Sequence, residues 1–190
     1  MTFSPRFEAA LIYAAQVHAG QTRKGSGIPY ITHLMAAAGL VAEDGGDEDQ
    51  VIAALLHDAP EDQGGRDRLE DIRVRFGEKI AAIVAACTDT YDEPKPPWQA
   101  RKEAYLAELK SAPPEVLRVS AADKLHNSRS IVADLRAEGE AAFAKFQGKQ
   151  VGTLWYYRTL AEVYQTRSPG PLAEEVARTV AEMHRLAHSP

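Results

Sequence analysis

Apolar positions recur every three to four residues along most of the chain, and Gly or Pro punctuates the runs. Phe7, Leu11, Ala14 and His18 share one face of a first helix. Pro29 opens a second helix that runs through His33 and Leu40 and stops at Gly45-Gly46. Asp47 is the expected N-cap of a third, which ends near His57-Asp58 with Pro60 as the breaker. Leu69 to Phe76 reads as a fourth, closed by Gly77, and Lys79 to Thr88 as a fifth. Tyr91 to Pro97 reads as a loop, Trp98 to Lys110 as a helix, and Pro113-Pro114 as the start of a helix reaching about Leu135. Two more follow, about 149–166 and 171–187, separated by Ser168-Pro169-Gly170-Pro171. No window alternates as a strand bounded by hairpin turns. The expected fold class is all-α, a helical bundle with one core.

Length and charge narrow this picture. The 190 residues suit a single domain over 1–190, with no repeat or linker. No segment approaches the roughly 20 apolar residues of a membrane span, and the amphipathic start carries Glu8 rather than a secretory layout. The single Cys87 excludes an internal disulfide and fits a reducing cytoplasm. A net charge of -5 argues against wholesale binding of nucleic acid or an anionic membrane. An anionic ligand would therefore need locally gathered positive charge, or a metal. The oligomeric state is not legible.

One stretch conflicts with a purely structural reading. The apolar run Val51 to Leu56 ends on His57-Asp58, and Glu61-Asp62 follows one turn later. Unpaired burial of such groups costs several kcal/mol each, on the order of what a polar group loses in an apolar environment. His33 lies in a similar apolar context, and Asp123 sits in LRVSAADKLHN. Val119, Asp123, Asn127 and Ser130 share one helical face. Two imidazoles and two carboxylates form a mixed set suited to a divalent ion. Taken singly, each has an ordinary explanation: His33 as a hydrogen-bonded core residue, Glu61-Asp62 as a solvated helix start, Asp123 as a partner of Arg118 or Lys124. His126 is expected to point away from the Asp123/Asn127 face, His184 and His188 to be exposed, and Cys87 to be core.

Taken together, these residues resemble the HD-domain hydrolases, and within them the (p)ppGpp hydrolase domain of RelA/SpoT proteins, above all its single-domain alarmone hydrolases. The strings that carry the resemblance are HAGQTRKGSGIPYITH (18–33), AALLHDAPED (53–62), CTDT (87–90) and AADKLHNSRS (121–130), with GTLWYYRTLAEVY (152–164) similar to the closing helix of the single-domain forms. The motif core covers about 7–135, with further helices at about 140–187. The loop before His33 is one residue longer than the commonest family form, with Ile28 where an acid is frequent.

The resemblance implies that His33, His57, Asp58 and Asp123 bind one divalent ion, usually Mn2+, and that Glu61 and Asp62 handle the attacking water. It places Arg23, Lys24, Asn127, Ser130 and Tyr156 against a small-molecule nucleotide. The implied reaction is removal of 3′-pyrophosphate from guanosine alarmones. Other readings stay open: the same fold acting on (p)ppApp, NADPH or a nucleoside monophosphate, or a sensing module without turnover.

Overall fold

A computed structural model describes residues 2–92 and 94–188. In chain order the elements are α1 (Pro5–Val17), α2 (Ile31–Glu43), α3 (Glu48–Leu56), α4 (Ala59–Asp62), α5 (Gly65–Phe76), α6 (Glu78–Cys87), α7 (Trp98–Leu109), α8 (Pro114–Glu138), a 3-10 segment (Gly139–Lys145), α9 (Lys149–Arg167) and α10 (Pro171–Ala187). The only strand-like pairing among the described residues is an isolated bridge between Thr22 and Pro29. The chain is all-α, as its periodicity predicts.

Local chemistry explains most boundaries. Ser4 caps α1, its side chain accepting from the Arg6 N–H, and Asp47 caps α3 by accepting from the Gln50 N–H at 2.9 Å. Gly77, at φ 98, ends α5 and begins α6 in a conformation that favours glycine. Gly46 meets a different demand. A Cβ there would lie 2.5 Å from Val41 Cγ1 and 2.8 Å from the Val41 carbonyl oxygen, so the turn from α2 to α3 admits only hydrogen at this point.

The structure refines the expected boundaries. Pro29 does not open α2; it pairs with Thr22 and accepts from the Thr32 N–H, and the helix starts at Ile31. Pro60 ends α3 as expected, because it has no N–H for the carbonyl of Leu56, the last residue of that helix. It occupies the first turn of α4, where its missing N–H goes unused. The 3-10 segment had no clear periodic signature and was not expected. The loop from Tyr91 to Pro97 is non-helical as expected, apart from Glu93, which lies outside the described residues.

The core is organised around α8, which packs against α2, α3, α6, α9 and α10. All of Val51 to Leu56 in α3 is buried, as are Val119, Ala122, Leu125 and Val132 of α8. An apolar side chain fully buried in this way contributes about 1.5–3 kcal/mol. Against that background, His33 on α2, His57 at the end of α3 and Asp123 on α8 are buried polar groups inside the apolar layer. Cys87 is core, and burial pushes its thiol up to about 12.

Candidate active site

Three helices converge on one point. His33 comes from α2, His57 and Asp58 from the junction of α3 and α4, and Asp123 from the middle of α8. His33 Nε2 lies 3.2 Å from Asp123 Oδ1 and 3.4 Å from Asp58 Oδ2. His57 Nε2 lies 3.0 Å from Asp58 Oδ2 and 3.6 Å from Asp123 Oδ1. Donor atoms of His33, His57 and Asp58 fall within 4.8 Å of one another. Both imidazole Nε2 atoms are buried without a hydrogen-bond partner.

Buried polar atoms are normally satisfied. Two orphaned imidazole nitrogens facing two carboxylate oxygens form a donor set that suits a divalent cation. Electrostatics agree. Burial alone would push His57 towards the neutral form, yet Asp58 and Asp123 outweigh it and hold its pKa well above the ordinary value. Burial would raise Asp123, but the Lys124 ammonium and then His57 hold it well below the usual carboxylate range. The centre attracts positive charge.

Each donor is braced. His57 Nδ1 donates to the Ala54 carbonyl at 2.7 Å within its own helix turn. Tyr30 donates its hydroxyl to Asp58 Oδ2 at 2.7 Å. Lys124 donates to Asp123 Oδ2 and Asn127 to Asp123 Oδ1, both at 2.5 Å. His33 Nδ1 lies 2.8 Å from His126 Nδ1. The expectation that His126 points away is therefore wrong. Its ring turns towards α2, where burial, and then the neighbouring His33 and Arg23, push its pKa down to about 4.

The acidic pair sits beside this centre. Glu61 Oε1 accepts from Lys95 at 3.0 Å. Asp62 Oδ2 accepts from Gln21 Nε2 at 2.8 Å. Desolvation and then the charge of Asp58 raise the Asp62 pKa. Its side chain reaches solvent, so Asp58 is the firmer of those two causes.

Two adjoining cavities, of about 470 and 340 Å³, form a cleft over the site; both are walled by Lys24, Asn127, Lys145, Phe146 and Tyr157. Arg23, Tyr30, His126 and Ser130 line the larger lobe. Glu61, Lys95, Arg101, Lys102, Lys124 and Tyr156 line the smaller. A chain of net charge -5 thus gathers its cations locally, as an anionic ligand would require. Most have a carboxylate partner: Arg101 and Lys102 share Asp89, Lys95 has Glu61, and Lys145 has Asp134. Lys24 pairs with no carboxylate among the described residues. Arg23 Nη2 donates to Asn127 Oδ1 at 2.7 Å, and its guanidinium lies 5.7 Å from the Tyr30 ring centroid.

Ten of the eleven residues singled out from the sequence form the centre or line the cleft, and the eleventh, Asp62, lies within electrostatic reach of Asp58. The expected pairing of Asp123 with Lys124 is present. Sequence reasoning missed Gln21, Tyr30 and Lys95, whose partners Asp62, Asp58 and Glu61 are distant in the chain; Gln21 and Tyr30 lie within the string 18–33, which could have flagged them. His188 is exposed as expected, but His184 is half-buried on the inward side of α10.

Fold and site together define a class: a helical domain with a histidine–aspartate cluster suited to a divalent cation beneath a basic cleft. A family model described as HD domain matches residues 10–154, and the chain belongs to the HD-domain family. It is 34% identical over 132 residues to the guanosine-3′,5′-bis(diphosphate) 3′-pyrophosphohydrolase MESH1 of Xenopus tropicalis, covering 65% of this chain and 71% of that protein. It is 38% identical over 129 residues to a probable guanosine-3′,5′-bis(diphosphate) 3′-pyrophosphohydrolase of Synechocystis, covering 65% of this chain and 16% of that protein. The chain thus spans about a sixth of the length of the bacterial relative. Its fold is similar to that of a metazoan SpoT ortholog described as hydrolysing ppGpp, with a TM-score of 0.77, 24% identity, and coverage of 99% of this chain and 98% of that one. The crystal structure of lmo0812 from Listeria monocytogenes EGD-e is similar at a TM-score of 0.71 and 29% identity, covering 80% and 99%. No described helix is long and apolar enough to cross a membrane.

Proposed function

We propose that this chain is a metal-dependent hydrolase that removes the 3′-pyrophosphate from guanosine alarmones, converting ppGpp or pppGpp to GDP or GTP plus pyrophosphate in the cytoplasm. The observation that carries this reading is the meeting of two orphaned imidazole nitrogens and two carboxylates beside Glu61 and Asp62, beneath a cleft of cations. The names of the relatives supply the substrate class.

In this reading His33, His57, Asp58 and Asp123 hold one divalent ion, Mn2+ by preference. Such an ion, when bound, polarises a phosphoryl oxygen and acidifies water. Asp62 and Glu61 orient the attacking water, and one of them accepts its proton. Water adds its oxygen to the phosphorus next to the ribose, the bond from that phosphorus to the 3′ oxygen breaks, and the departing oxygen takes up a proton to become the 3′ hydroxyl of GDP or GTP. Arg23 and Lys24 bind the nucleotide, Arg23 through a planar guanidinium suited to stacking or forked contact. Asn127, Ser130 and Tyr156 complete the wall. The lysines of the smaller lobe neutralise the phosphates.

Purified protein with Mn2+ should be assayed against ppGpp, pppApp, NADPH and deoxynucleoside monophosphates, with products identified. Pyrophosphate and GDP from ppGpp, at a kcat/KM well above the other substrates, is the expected result. Preference for another nucleotide would keep the fold and centre but replace the substrate. Binding without product from any of them would favour a sensing module.

A further inference from the structure

The two imidazoles of the centre are oriented by different means. His57 Nδ1 faces the Ala54 carbonyl, which can only accept. His57 Nδ1 therefore carries a proton, and Nε2 is left as the atom that faces the carboxylates. His33 has no such carbonyl. Its Nδ1 faces another imidazole nitrogen, His126 Nδ1, at 2.8 Å, with ring centroids 4.8 Å apart. Two imidazole nitrogens at that distance share one proton, and which one carries it decides what His33 can do.

We infer that His126 is the positioning residue for His33: its Nδ1 accepts the His33 Nδ1–H and so holds the His33 Nε2 lone pair towards Asp58 and Asp123. This rests on the proposed metal centre. The reasoning is by elimination. For His33 Nε2 to ligate, it must carry no proton, so the single proton of the neutral ring is on Nδ1. That N–H must be donated, since the ring is fully buried. Among the described residues the one hydrogen-bonding atom in reach is His126 Nδ1, which must then accept and keep its own proton on Nε2. Partners of this kind fix the tautomer and ring orientation of metal-binding histidines.

The arrangement has a structural consequence. His126 lies on α8 one turn after Asp123, so one helix supplies both a ligand and the brace for a ligand on α2. His126 also lines the larger lobe of the cleft. The orientation of His33 is thereby tied to the wall against which a nucleotide would rest.

The test compares Mn2+ affinity, read from the electron paramagnetic resonance signal of free Mn2+, in wild type, His126→Leu, His126→Asn and His33→Ala. His126→Leu removes the acceptor and should weaken Mn2+ binding about 10- to 100-fold. His126→Asn places an amide oxygen near the position of Nδ1 and should recover most of that loss. Wild-type affinity in His126→Leu, or an equal loss in both His126 variants, would overturn the inference. Wild-type affinity in His33→Ala would remove the metal centre as drawn and the inference with it; loss in His33→Ala with none in His126→Leu removes the inference alone. Should the Leu variant fail to fold, nuclear magnetic resonance of the wild type loaded with Zn2+ decides. A ring N–H on His33 Nδ1, coupled across the hydrogen bond to His126 Nδ1, is expected; a proton on His33 Nε2 would overturn the assignment.

Discussion

Arg23 donates to Asn127 Oδ1 at 2.7 Å, and Asn127 in turn donates to Asp123 Oδ1 at 2.5 Å. A loop cation at the mouth of the cleft is thereby linked through one amide to a carboxylate of the buried centre. The two ends of this chain differ in what they touch, which separates nucleotide binding from metal binding.

Arg23→Ala should raise KM about 10- to 100-fold, the equivalent of losing one charge-assisted hydrogen bond of about 1.5–3 kcal/mol, with metal content unchanged. Arg23→Lys should recover little, because a point charge cannot stack or fork. Asn127→Ala should raise KM and also weaken metal binding, since it strips a donor from Asp123. Steady-state kinetics with metal analysis of the same samples checks all three. Wild-type KM in Arg23→Ala would detach the loop from the substrate.

His57→Ala, Asp58→Ala and Asp123→Ala should each abolish metal binding and turnover together. Imidazoles must be neutral to ligate, so metal affinity should fall as the solution is acidified. Calorimetric titration of Mn2+ across pH 5 to 8 (the range in which histidine ordinarily titrates) gives the trend. An affinity that stays flat over that range would exclude histidine ligands.

Glu61→Gln combined with Asp62→Asn should keep the metal and slow turnover by roughly 10²-fold or more if the pair supplies the general base. A base works only when deprotonated. The Asp62 pKa is raised, so a rate that depends on it should decline with falling pH sooner than an ordinary aspartate would allow. Asp62→Asn alone should remove that acidic limb from the kcat profile. Loss of metal from the double variant would make these residues ligands instead.

Asp89 holds two cations of the cleft wall, Arg101 and Lys102. Its side chain is 4% exposed and contacts Arg101 at 2.5 Å and Lys102 at 2.6 Å. Burial would raise its pKa, but Lys102 and Arg101 overcome this and hold it below the ordinary value. Lys102 is itself lowered by burial and by Lys124, so Arg101 is the firmer partner. A depressed carboxylate stabilises the fold above its unfolded pKa of about 3.9, and that stability is lost as pH falls through the folded value. Asp89→Asn should cost about 3–5 kcal/mol at neutral pH, because Arg101 keeps a buried charge without its partner. Urea melts at pH 7 and at pH 3 should show that gap shrinking in acid; an equal gap at both would exclude the ion pair as its source.

Much of this molecule is decided within a few residues of each position. The 3.6-residue period, Asp47 as a cap and Gly77 as a stop place most helices within a few residues of where they lie, because caps and propensities act over one turn. The order of His33, His57-Asp58, Glu61-Asp62 and Asp123 carries the family likeness for the same reason: spacing within a motif is a local property. What the chain's own pattern could not decide is which faces meet. Nothing in AADKLHN says that His126 turns towards α2 rather than to solvent, because that depends on how α2 and α8 cross. Tyr30 reaches Asp58, Gln21 reaches Asp62 and Lys95 reaches Glu61 only once those helices and their connecting loops are packed. The local basicity of the cleft is likewise hidden in a net-acidic sequence, since its cations come from separate segments and collect only when the apolar faces of α2, α3, α8 and α9 are buried together. Helix formation is local and could be read; the centre, its braces and its charge are set by burial between distant segments, which only tertiary packing determines.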